Sequence, residues 1–83
     1  MNAKKIIMYG ADWCGDCRRA KQFFQTFGVE YEWINTDNNP EAQEIITKLN
    51  HGLRRIPTII FEDGSILVEP TNLQLAEKLK LEL

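Results

Sequence analysis

The stretch Ile6-Ile7-Met8-Tyr9-Gly10-Ala11-Asp12-Trp13-Cys14-Gly15-Asp16-Cys17-Arg18-Arg19-Ala20 changes its periodicity half-way along. Lys4–Tyr9 ends in a continuous apolar run, Ile6–Tyr9, and stops at Gly10, as a short buried strand does. Beyond Cys14 the apolar positions Cys17, Ala20, Phe23, Phe24 and Phe27 recur in steps of three and four. Those steps trace one face of a helix, and Gly28 is placed to close it as the C′ residue. The chain's only cysteines, Cys14 and Cys17, therefore fall where the exit loop of a strand becomes a helix.

The rest of the chain reads as alternating elements. Tyr31–Asn35 has aromatic residues two apart and predicts a second strand. Asn39 can cap a helix opening on Pro40, a position where the missing N–H costs nothing. Ala42, Ile45, Ile46 and Leu49 form its apolar stripe, and Asn50 or Gly52 ends it. Pro57–Phe61 is a third strand, Asp63-Gly64 a hairpin signal and Ile66–Val68 the returning strand. Thr71-Asn72-Leu73-Gln74 is a capping box, Leu75, Ala76 and Leu79 make the last helix amphipathic, and Leu83 extends that face. The order is β-α-β-α-β-β-α. It implies two parallel strands joined by a right-handed crossover, then an antiparallel pair. The expected architecture is α/β, a mixed four-stranded sheet covered by three helices.

At 83 residues the chain has room for one domain, read here as 1–83. Ten Lys and Arg against 12 Asp and Glu leave a net charge of −2, which argues against a nucleic-acid or anionic-membrane binder. The longest apolar run is four residues, far below the ~20 of a membrane span or the ~7–15 of a signal-peptide core. A cytoplasmic protein is the expectation.

In that compartment a C-x-x-C is chemical rather than structural, because thiols are kept reduced and a bridge across so short a loop adds little chain-entropy stabilisation. Three readings compete: a redox dithiol, half of a zinc site, or an iron–sulfur anchor at a dimer interface. Structural zinc wants four protein ligands, and His51 is the single histidine, so no metal is expected. The helix start favours the dithiol. Free backbone N–H groups and the positive end of the helix dipole stabilise an anion at Cys14, and a thiolate is such an anion. Cys17, one turn on and facing inward, can attack a disulfide formed on Cys14 while shielded from outside partners. A stabilised thiolate is also a good leaving group, which suits a catalyst that must leave its own mixed disulfide.

These residues resemble the thioredoxin superfamily, specifically its glutaredoxin-like branch, over nearly the whole chain. The likeness rests on the strand/Cys14-x-x-Cys17/helix unit, on Ile56-Pro57-Thr58 some 40 residues later, and on the Asp63-Gly64 hairpin with its terminal helix. It implies a thioredoxin-like fold and a thiol–disulfide oxidoreductase whose catalytic residues are Cys14 and Cys17. It implies a cis Ile56–Pro57 bond facing the nucleophile, with the Ile56 backbone free to pair with an extended substrate. Glutathione-using members carry Gly-Gly and an acidic residue before the last helix. Here Val68-Glu69-Pro70-Thr71-Asn72 stands instead, and with Trp13-Cys14-Gly15 it looks more like the mycoredoxin type of small redoxin.

The implied substrate-binding residues are Trp13, Arg54, Arg55, Ile56, Pro57, Thr71 and Asn72. Arg54 and Arg55 are candidates for a thiol carboxylate, and the helix start at Thr71 and Asn72 for another. The implied co-substrate is a low-molecular-weight thiol, glutathione or mycothiol-like, with no bound cofactor. The implied partners are oxidised or S-thiolated proteins and a small thiol or flavin disulfide reductase, acting on a monomer. Two other readings stay open, an electron donor to ribonucleotide reductase reduced by thioredoxin reductase, and an iron–sulfur carrier.

Several residues have plainer expectations. His51 complements its helix C-terminus, and Asp16 either complements its helix N-terminus or acts on the dithiol or against acidic partners, since Asp12 and Asp16 both oppose an anion at Cys14. Arg18 and Arg19 either favour the Cys14 anion or form a solvated face. Trp33 is read as sheet core, Tyr9 as core or groove, and Phe23, Phe24 and Phe27 as core by periodicity.

Overall fold

A computed structural model describes residues 5–82 of the chain. Each helix begins where a side chain accepts from a free backbone N–H. Cys14 caps α1 (Gly15–Thr26), Asn39 caps α2 (Pro40–Leu49) and Thr71 caps α3 (Asn72–Leu79). The Thr71/Gln74 capping box forms in both directions, at 3.1 and 2.8 Å. Gly28, at φ +66°, follows α1, and the next residue closes the helix with a Val29 N–H to Phe24 carbonyl bond of 2.8 Å.

The strands are β1 (Ile6–Gly10), β2 (Tyr31–Asn35), β3 (Thr58–Ile60) and β4 (Ile66–Val68), in the sheet order β2-β1-β3-β4. β1 pairs parallel with β2 and antiparallel with β3, and β3 pairs antiparallel with β4. The order β-α-β-α-β-β-α and the mixed four-stranded sheet with three helices are those expected, a thioredoxin-like fold. The first expected strand residue, Lys4, and the last expected face residue, Leu83, lie outside the described residues.

Alternation along the strands sorts their side chains onto two faces. Ile6, Met8, Ile59 and Phe61 pack with Ala20, Phe23 and Phe24 of α1 and Leu75 and Ala76 of α3. Tyr9 packs on the other face with Ala42 and Ile46 of α2, flanked by Ile7, Ile34, Ile56 and Ile60. Tyr9 is thus core.

Three expectations need correction. β3 is shorter than Pro57–Phe61, because Pro57 has no N–H to give the ladder and Phe61 closes the hairpin with Ser65 instead. Ile45 shares the helical period yet is exposed, since α2 meets one sheet face and buries only Ala42 and Ile46. Trp33 is half-buried rather than core, because β2 is an edge strand; Lys21 Nζ lies 3.9 Å over its ring.

Candidate active site

The parallel β1/β2 pair and the antiparallel β1/β3 pair end together. Gly10 is opposite Asn35, and Tyr9 is opposite Thr58, the residue after Pro57. The loop to α1 leaves from that end, so the cysteine turn, the Thr36–Asn39 loop and the Arg54–Pro57 segment share one edge of the molecule. The Ile56–Pro57 bond is cis, as the resemblance implies.

Cys14 is the N-cap of α1, with extended backbone at φ −82° and ψ 119°, and its Sγ accepts from the Cys17 N–H at 3.4 Å. Its own N–H donates to the Ala11 carbonyl at 3.1 Å, which folds the turn back on itself. Cys14 is half-buried, Cys17 is fully buried, and both thiols are free. Burial, followed by a hydrogen bond with the Cys14 sulfur, pushes the Cys17 thiol up to about 12. Cys17 therefore keeps its proton at neutral pH.

Gly10 makes this burial possible. A Cβ there would sit 2.6 Å from Cys17 Sγ and 2.8 Å from the Trp33 ring. Only a hydrogen lets strand end, thiol and indole close on one another. The Gly10 carbonyl accepts from both the N–H (2.8 Å) and the hydroxyl (3.1 Å) of buried Thr36, which ties the β2 exit loop to the cysteine turn.

Trp13 is 67% exposed, but its indole Nε1 donates to Asp37 Oδ2 at 2.9 Å. The pinned indole forms one wall of a cleft of about 140 Å³, lined also by Thr36, Asp37, Gln43, Arg54 and Ile56. Through Gln43 and Arg54 the cleft adjoins an open groove of about 410 Å³ along α2. Another cavity, at Lys5, Val29, Glu30 and Tyr31, belongs to the opposite end of β1 and β2.

The named site residues thus fall into three groups. Trp13, Arg54 and Ile56 line the cleft. Arg55 turns to Glu69, Nε to Oε2 at 3.7 Å, and the Glu69 N–H donates to the Pro57 carbonyl at 2.9 Å. Thr71 is occupied by its capping box, and Asn72 Oδ1 accepts from Arg19 Nη1 at 3.1 Å. Behind Pro57, Asn50 Nδ2 donates to the Ile46 carbonyl and to Thr58 Oγ1, whose hydroxyl donates to the Arg55 carbonyl at 2.7 Å.

Asp37, Thr36, Gln43 and Asn50 were not singled out in the sequence as parts of this edge. The signal that could have found the first two is the polar run after a strand, Asn35-Thr36-Asp37-Asn38-Asn39. His51 follows the α2 cap, exposed and at φ +56°. Among the described residues no three His, Cys, Asp or Glu side chains converge as a metal site. Among them, too, no helix is long and apolar enough to cross a membrane.

A family model for glutaredoxins matches residues 6–66, most of the chain. The chain belongs to the glutaredoxin family. A glutaredoxin of Mycobacterium tuberculosis is 32% identical over 74 residues, covering 89% of this chain and 88% of that protein. Mycoredoxin 1 of Corynebacterium glutamicum is 31% identical over 75 residues, covering 90% and 92%. The crystal structure of a glutaredoxin from Methanosarcina mazei superposes with a TM-score of 0.76 at 27% identity, over 93% of this chain and 79% of that one. This glutaredoxin is a thiol–disulfide oxidoreductase working through the Cys14–Cys17 pair.

Proposed function

We propose that the chain, a single glutaredoxin-like domain over 1–83, reduces S-thiolated and disulfide-bonded proteins in the cytoplasm as a monomer, with electrons from a low-molecular-weight thiol. The observation that carries this reading is the unequal placement of the two sulfurs: Cys14 half-exposed at the helix cap, Cys17 fully buried behind it.

Cys14 is the nucleophile. Its thiolate attacks the substrate disulfide, one sulfur joins Cys14, and the other leaves as a thiol. Either Cys17 attacks the Cys14 sulfur, which forms the Cys14–Cys17 disulfide and releases the bound thiol, or a second small thiol attacks the bound thiol's sulfur, which releases the Cys14 thiolate and carries the bound thiol away as a disulfide. The Cys17 proton has to leave in the internal route, because burial keeps that thiol protonated at neutral pH. The oxidised Cys14–Cys17 pair is returned to two thiols by two molecules of the small thiol, glutathione or mycothiol-like, or by a flavin disulfide reductase.

The cleft at Trp13, Arg54 and Ile56 suits the small thiol: an indole wall, an apolar floor and a guanidinium for a carboxylate. The Ile56 backbone pairs with an extended substrate, while Pro57 beside it has no N–H and its carbonyl is taken by Glu69. The other implied contacts are engaged within the fold, Arg55 by Glu69, Thr71 by its capping box and Asn72 by Arg19.

The test pairs two variants with a panel of small thiols as reductants of one S-thiolated protein. Cys14→Ser abolishes turnover with every thiol. Cys17→Ser keeps release of the small thiol from the S-thiolated protein and loses reduction of internal protein disulfides. Full activity of Cys14→Ser, or equal loss of both reactions in Cys17→Ser, defeats the scheme.

A further inference from the structure

One charged cluster at this edge has no part in that scheme. A single guanidinium, Arg19, joins the residue between the two cysteines to the loop before α3. Its Nη2 is 3.2 Å from Asp16 Oδ1 and 3.2 Å from the Pro70 carbonyl oxygen, and its Nη1 donates to Asn72 Oδ1 at 3.1 Å. An exposed ion pair on one helix is ordinarily loose and contributes little. This one is held at both ends. The planar fork of Arg19 is gripped by a carboxylate on its own helix and by an amide and a carbonyl fifty residues away, leaving it 37% exposed.

The other cations nearby are engaged elsewhere. Lys21 lies between Asp12 and the Trp33 ring, and Arg18 reaches the Asp12 carbonyl. Among the described residues Arg19 is the one cation paired with Asp16.

We propose that Arg19 is a positioning residue for the redox pair: it holds the Asp16 carboxylate towards the α3 loop and offsets a charge that would otherwise oppose the Cys14 thiolate. The inference rests on the redox reading above. Oxidation of the pair, the Cys14 thiolate and the Cys17 thiol, forms the Cys14–Cys17 sulfur–sulfur bond and gives up two electrons and one proton. The substrate disulfide takes them, with a second proton from water, and leaves as two thiols. The attacking sulfur is an anion and the disulfide product is neutral, so an uncompensated carboxylate beside the pair penalises the reduced side alone. Asp16 also opposes ionisation of Cys17. The dipeptide between the cysteines thus carries a reducing bias, and Arg19 sets how much of it the pair feels.

The experiment measures the dithiol–disulfide equilibrium of the purified protein in a glutathione redox buffer at pH 7, with the iodoacetamide rate at Cys14 as a second readout. Arg19→Gln shifts the equilibrium about two- to fivefold towards the disulfide, the reach of an exposed pair. That corresponds to about 9–21 mV more negative at 29.6 mV per tenfold. Its alkylation slows by a similar factor. Arg19→Lys, which keeps the charge, recovers at least half of the change. In an Asp16→Asn background Arg19→Gln has a smaller effect, and Asp16→Asn alone shifts the equilibrium the opposite way. That last variant leaves the Asn72 and Pro70 contacts intact, so it reads the charge even if Arg19→Gln folds poorly. An unchanged equilibrium in Arg19→Gln or Asp16→Asn overturns the proposal, as does the same Arg19→Gln shift with Asp16 absent. If the redox reading itself is wrong, the unaltered protein forms no Cys14–Cys17 disulfide in the buffer at all, a result none of these outcomes resembles.

Discussion

A hydrogen in place of a methyl group governs how the two sulfurs are presented. Gly10 has Cys17 Sγ and the Trp33 ring in the space a Cβ would take, at 2.6 and 2.8 Å. The thiol is backbone-anchored in the first turn of α1, and the indole is tied to an edge strand beneath Lys21, so neither yields cheaply. Gly10→Ala therefore overpacks the turn and destabilises the protein by about 1–3 kcal/mol. The relief available is movement of Cys17 away from the strand, towards solvent. In the reduced native variant, iodoacetamide then modifies Cys17 as well as Cys14, whereas in the unaltered protein it modifies Cys14 alone. Mass spectrometry of the alkylated protein separates the two; single labelling in both would show that the close approach has slack the distances do not suggest.

Short elements with few contacts need help from side chains at their ends, and the β3–β4 hairpin shows how. Each of its strands has three residues. The loop between them is closed by Phe61 and Ser65 and takes Gly64 at φ +87°. Asp63 then accepts from the Ser65 N–H at 2.9 Å, from the Ser65 hydroxyl, and from Lys78 of α3 at 2.7 Å. The Lys78 ammonium, foremost, and Ser65 hold the Asp63 carboxyl well below its ordinary value of 3.8. A carboxyl so depressed contributes stability above its unfolded pKa and loses it as pH falls through the folded one. Asp63→Asn is accordingly less stable than the unaltered protein at pH 7, and the gap closes as pH drops below about 4. Urea midpoints of the two proteins at pH 7, 4 and 2.5 read this directly. A gap that stays constant across that range would mean Asp63 acts through its shape in the turn and not through its charge.

Over the whole molecule, what could be read from the chain was what repeats along it. The strand and helix periods located all seven elements, and the caps at Asn39 and Thr71 and the glycine at 28 marked their ends to within a residue or two. Contacts between elements carry no period. Nothing in the order of residues announces that Trp13 meets Asp37, that Arg19 meets Asn72, or that Gly10 is the floor under Cys17. Those contacts shape the cleft, so the reactive pair and three residues that line the cleft, Trp13, Arg54 and Ile56, were legible, and the contacts that hold them in place were not. Global stability should nevertheless report the site, because the buried thiol is linked to folding. Cys17 ordinarily ionises near 9.0, but in the folded chain burial and the Cys14 sulfur push it up to about 12. Between those values the unfolded chain sheds a proton that the folded one retains, so the contribution of Cys17 to stability is complete below pH 9.0 and is lost as pH rises towards 12. Tyr9 and Tyr31, both raised by burial, act in the same direction. A Cys17→Ala variant keeps both tyrosines and lacks only the thiol. The stability difference between reduced protein and variant is thus flat from pH 6 to 8 and then falls by up to one proton's worth of slope as pH is raised to 11. Urea titrations under reducing conditions measure it, and parallel curves above pH 9 would show that Cys17 ionises in the folded chain as freely as in the unfolded one.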